Sequence, residues 1–152
     1  KHDFQVVCIP PNSDPGSYEM KTVLDKYSKK DWLIKAETLP RLKFVNLMRH
    51  SRALAGNSSM GILEAPHYKL PVVNIGNRQR GRLNAGNVEF VSYEKGEIIS
   101  ALEKATLDEE YGQKVDNLKN PFGDSSAPQK VRNVIESVDL NDRKWYVKQK
   151  IC

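Results

Sequence analysis

The chain has 152 residues, enough for one compact domain with a real core. Its 39% apolar and 28% charged content are those of an ordinary globular protein, and no apolar run approaches the roughly 18 residues of a membrane span. A net charge of +5 suits a partner that carries phosphates. However, Lys1, Lys21, Lys26, Lys29 and Lys30 are scattered and do not alternate with aromatics as a strand-binding groove would, so no nucleic-acid partner is expected.

The opening KHDFQVVCIPP has neither an initiator Met nor a signal-peptide layout, and we expect it to begin partway through a longer protein. Residues 4–9, FQVVCI, predict a buried strand stopped by Pro10-Pro11. The next stretch, residues 11–16 (PNSDPG), is rich in turn formers and by default reads as a bare turn. Ser17 is read as the cap of a helix reaching about Lys30, with Met20, Val23, Leu24 and Tyr27 at helical spacing. Trp32 to Lys35 is a short strand. A helix starts near Pro40, with Leu42, Val45, Leu47 and Met48 as its apolar stripe.

Ala53 to Gly56 runs into GNSSMGILEAP, a strand-to-helix turn. Strands are predicted at Pro71–Ile75 and Asn87–Ser92, and helices at Glu97–Ala105 and near Leu107–Leu118. NPFGDSSAP punctuates before a last helix to about Val138, and the tail from Asp139 is charged and irregular. Short strands alternating with helices predict an α/β fold with a mostly parallel sheet.

Three features fall at carboxyl ends of predicted strands, where open parallel sheets bind ligands. In Gly56-Asn57-Ser58-Ser59-Met60-Gly61, two hydroxyls and helix-start N–H groups converge in a way that cradles a diphosphate. On composition alone the same pattern reads first as a plain helix cap. Glu64, placed one and a half turns into that helix, is able to accept two ribose hydroxyls, or else is a solvated surface carboxylate. Asn77 to Arg82 sets three arginines within five residues on a loop, suited to phosphate or simply exposed to water. Cys8 and Cys152 lie far apart, and His2, His50 and His67 lack ligand spacing, which points to a reducing compartment and to neither a disulfide framework nor a metal site.

PNSDPGS, the LP before the second helix, GNSSMGILEAP, PVVNIGNRQRGR with its following NV, and NPFGD occur here in one order. Together they resemble the hydrolysing UDP-N-acetylglucosamine 2-epimerases of sialic-acid-type pathways, over about residues 6–150. The resemblance implies a Rossmann-like three-layer sandwich, the carboxy-terminal half of a two-domain glycosyltransferase-B type fold. It also implies that Ser58, Ser59 and the backbone at Met60 and Gly61 hold the diphosphate of UDP, that Glu64 takes the ribose and that the backbone near Leu39 faces the uracil. Asn12 is placed on the nucleotide from the first loop, with Asp14 in support. Arg78 reaches toward phosphate or sugar, and Gln79 and Arg82 shape its loop.

No cofactor or metal is implied. The catalytic acid and base are expected in a preceding amino-terminal domain, so this chain alone is expected to be inactive. The whole enzyme is expected to be cytoplasmic and self-associating, with UDP-N-acetylglucosamine or a diacetamido analogue as its substrate. Two departures stand out. Met60 replaces a smaller residue, and Ser125 stands where relatives often carry Gly. A glycosyltransferase donor domain and, from another class, a basic nucleic-acid-binding module remain as alternative readings.

Overall fold

The computed structural model describes residues 4–11, 13, 15–36 and 38–147. The chain divides into two compact units at His50/Ser51.

In the first unit, β1 (Val6–Cys8) pairs in parallel with β2 (Leu33–Lys35), with Val6 opposite Leu33. Helix α1 (Ser17–Tyr27) joins them, and α2 (Arg41–His50) follows. The cap of α1 is Gly16, at φ 86, and not Ser17, which is the first helical residue. A left-handed residue just before a helix is readily supplied only by glycine. The helix stops at Tyr27, short of Lys30. In α2 only Met48 is buried, and Leu42 of the expected stripe is 78% exposed, since it lies in the first turn.

The Cys8 thiol is pushed up by burial, against the opposing field of Lys35. A thiol held in its protonated form is a poor nucleophile.

The second unit is built on a parallel sheet ordered β3 (Leu54–Gly56), β4 (Val72–Ile75), β5 (Val88–Val91). The register sets Gly56 opposite Asn74, and Asn74 opposite Phe90. After β3 comes α3 (Met60–Leu63), followed directly by a 3-10 turn at Ala65–Tyr68. Helices α4 (Lys95–Leu107) and α5 (Glu109–Asp116) follow β5.

Side chains alternate along a strand, and the sheet uses both faces. Val73 and Val91 pack with Ala101, Ala105, Tyr111 and Val115 of α4 and α5, with Ile75 half-buried against them. On the opposite face Val72 meets α3: a Cβ on Gly61 would stand 2.8 Å from its Cγ1. Glycine at 61 is what lets helix and strand approach so closely. Helices thus cover both faces of a parallel sheet, the expected α/β layering, and all described strand pairs are parallel.

The last helix, α6 (Ala127–Ser137), follows a turn in which Asp124 Oδ1 accepts from Ser126 N at 3.0 Å and from the Ser126 hydroxyl. These bonds, with Lys130 nearby, hold the Asp124 carboxyl down to about 2. Ser125 adopts φ 69, a left-handed geometry that glycine takes without the steric cost a Cβ brings. The departure at this position therefore falls on backbone strain before α6.

Candidate functional site

Residues 56–64 and 77–82 lie at the carboxyl side of β3 and β4, and one buried side chain ties them together. Gln79 is 3% exposed, and its Nε2 donates to the Asn57 carbonyl at 3.1 Å. Its Oε1 in turn accepts from Arg82 Nη1 at 2.7 Å. The arginine loop is thereby fixed against the residue preceding Ser58. A second buried amide supports the same turn from beneath: Asn87 Nδ2 donates to the carbonyls of Gly61, at 3.2 Å, and Leu70, at 3.1 Å.

Within the turn, Ser58 Oγ accepts from the Met60 backbone N–H at 3.3 Å, so Ser58 performs part of the capping expected of a serine here. Ser59 occupies the N-cap position, yet its side chain makes no cap bond. Its hydroxyl is left with hydrogen-bonding capacity at the start of α3. Met60 is half-buried and Gly61 is buried.

Glu64 differs from its expected place. Helix α3 ends at Leu63, so Glu64 caps its carboxyl end, its N–H bonded to the Met60 carbonyl at 2.9 Å. Pro66, in the first turn of the next element, brings no N–H donor and no continuation of the helix, which limits α3 to a single turn. The half-buried Glu64 therefore stands at the junction of two short elements and not along a longer helix face.

The three arginines have separate fates. Arg82 is engaged with Gln79. Arg80 Nη2 donates to the Phe90 carbonyl at 3.4 Å. Its charge, after the Ser92 backbone and hydroxyl bonds, also helps hold the exposed Glu97 carboxyl below its usual range. Arg78 is exposed, and among the described residues no hydrogen bond or ion pair engages it. A guanidinium so placed keeps its planar donor set for an incoming anion.

Leu39 is half-buried, immediately before Pro40 in the first unit. Asn12 and Asp14 lie outside the described residues. Neither the anchoring role of Asn87 nor the bridging role of Gln79 is legible in the sequence, where Gln79 reads only as a loop former. The signal available for both was an amide beside a strand or between arginines. Among the described residues no cluster of His, Cys, Asp and Glu is placed to hold a metal ion. No described helix is long and apolar enough to cross a membrane.

Comparison with known proteins gives this geometry relatives. A protein of Legionella pneumophila named UDP-N,N'-diacetylbacillosamine 2-epimerase (hydrolyzing) is 28% identical over 141 residues, 93% of this chain and 36% of that protein. The UDP-N-acetylglucosamine 2-epimerase of Neisseria meningitidis is 33% identical over 100 residues, 66% of this chain and 26% of its own length. The crystal structure of a Neisseria meningitidis UDP-GlcNAc 2-epimerase bound to UDP-GlcNAc superposes with a TM-score of 0.70 at 26% identity, covering 89% of this chain and 37% of that one. An S. aureus MnaA structure with UDP has the same fold, with a TM-score of 0.67 at 21% identity, over 84% of this chain and 35% of that one. The chain thus spans about a third of the length of the relatives it matches. The family model described as UDP-N-acetylglucosamine 2-epimerase matches residues 1–136, and the chain belongs to that family.

Proposed function

We propose that residues 56–64 and 77–82 form the UDP-gripping part of an epimerase that releases UDP from a UDP-linked 2-acetamido sugar. The observation that supports this reading is the buried Gln79 bridge, which ties the loop bearing the exposed Arg78 to Asn57, the residue before Ser58. One anion would then meet a serine hydroxyl, the N–H groups that open α3 and a guanidinium, a donor set suited to a pyrophosphate. Glu64, at the far end of the same turn of helix, receives the ribose hydroxyls.

The reaction eliminates UDP across C1 and C2 of the sugar. The C1–O bond breaks, the C2 proton leaves, and a 2-acetamidoglucal forms. Water then adds across the double bond with inversion at C2, giving free N-acetylmannosamine or its diacetamido counterpart. Negative charge grows on the departing diphosphate, and donors fixed in advance at that place lower the barrier. The chemistry at C2 and C3 also needs an acid and a base. We assign those groups to the two thirds of the relatives' length that this chain does not span, and catalysis to the whole enzyme.

Calorimetric titration with UDP tests the binding role. Wild-type protein is expected to bind, and Arg78→Ala and Glu64→Ala are each expected to weaken binding about tenfold. That factor corresponds to one charge-assisted hydrogen bond partly screened by water. Equal affinity in all three proteins would remove both residues from the site.

A further inference from the structure

Asn74 lies toward the carboxyl end of the central strand β4, and none of its surface reaches solvent. Among the described residues neither its amide nitrogen nor its carbonyl oxygen has a hydrogen-bond partner. Its strand neighbours Val72, Val73 and Ile75 are the branched hydrocarbons that such a position favours. An amide buried with both ends unpaired is costly, and an apolar side chain of the same size would avoid that cost.

The direction of the side chain follows from strand alternation. Val73 and Ile75 turn toward α4 and α5, so Asn74 shares the opposite face with Val72, whose Cγ1 crowds the Cβ position of Gly61. A helix returning from a parallel strand runs against the strand direction. Asn74, two residues or roughly 7 Å beyond Val72 toward the carboxyl end, is therefore under the residues that precede Gly61. Those residues are Ser58, Ser59 and Met60. The strand residue opposite Asn74 is Gly56, which supplies no side chain, and a Cβ there would meet no atom within 4 Å. Ser59, one of the residues that precede Gly61, has a side chain that makes no cap bond.

We infer that Asn74 is a positioning residue of the UDP site, an inference that rests on the reading given above. When the turn closes on a pyrophosphate, the Asn74 amide N–H donates to Ser59 Oγ from below. The serine oxygen is then saturated from the protein side, and its proton is directed outward to a phosphate oxygen. Asn74 touches no ligand atom; it acts through Ser59.

The test is UDP titration and thermal unfolding of wild type, Asn74→Leu and Asn74→Val. Leucine has the shape of asparagine without its polar atoms, and valine is the smaller strand former should leucine fail to pack. Melting temperatures equal to or above wild type, with UDP affinity at least fivefold weaker, are the expected result. Unchanged affinity in either folded variant overturns the inference, as does affinity that falls only in step with melting temperature, the mark of a packing residue. Failure of the wild type itself to bind UDP would instead sink the underlying reading and the inference with it.

Discussion

Replacing Asn87 with leucine is expected to destabilise the protein by about 2–6 kcal/mol. The estimate counts two buried carbonyls left unpaired, at about 1–3 kcal/mol each. The side chain is fully buried and its Nδ2 donates to the carbonyls of Gly61 and Leu70, while the residue's backbone carbonyl accepts from Val72 N at 2.8 Å. One amide thus joins the start of β5, the end of the segment after the 3-10 turn, and the first turn of α3. Leucine fills the same volume, so the loss measures hydrogen bonding and not a cavity. In urea the midpoint should fall while the slope stays constant, because the surface exposed on unfolding is unchanged. A loss below about 1 kcal/mol would mean that the Gly61 and Leu70 carbonyls find other partners. Because Gly61 closes the serine turn, UDP affinity should fall in the same variant.

The second large effect is expected at Gln79. Gln79→Leu removes the donor to Asn57 and the acceptor for Arg82. Asn57 is exposed, so its carbonyl turns to water, and the stability cost should be only about 1–2 kcal/mol. Binding should suffer more. With the bridge gone, the loop carrying Arg78 is free to move from the serine turn, and UDP affinity should drop about tenfold or more, some 1.4 kcal/mol per tenfold. Gln79→Glu is a useful second arm. Its carboxylate keeps the Arg82 contact but faces the Asn57 carbonyl oxygen with no proton to share, so affinity should drop there as well. Titration of both variants with UDP, alongside urea unfolding, checks the separation. Wild-type affinity in Gln79→Leu would show that the bridge does not position the arginine loop.

The strands were legible because short runs such as Val72–Ile75 are apolar and bounded by Pro and Gly, and their parallel order followed from the alternating helices. The serine turn and the arginine loop were legible as motifs because residue type and spacing carry them. Their tie was not. Gln79 and Asn57 are 22 positions apart, and nothing local distinguishes a bridging glutamine from a solvated one. Asn87 carries the same lesson, since its partners at Gly61 and Leu70 are assembled only by the sheet. Within β4, Asn74 was read as part of an apolar strand, and its unpaired amide emerges only once the register is known. Helix ends differ from expectation where one residue decides them. Gly16, at positive φ, displaces Ser17 as a cap, and Pro66 shortens the helix on which Glu64 had been placed. The arginine cluster, uniform in sequence, separates into two internally bonded side chains and an exposed Arg78 only through tertiary contacts.

Crystals of the protein grown with UDP decide whether these residues hold the nucleotide. Pyrophosphate density is expected against Ser58, Ser59 and the N–H groups at Met60 and Gly61, with Arg78 on the phosphate and Glu64 on the ribose. Nucleotide density elsewhere on the chain, with the serine turn and arginine loop empty, would contradict that assignment.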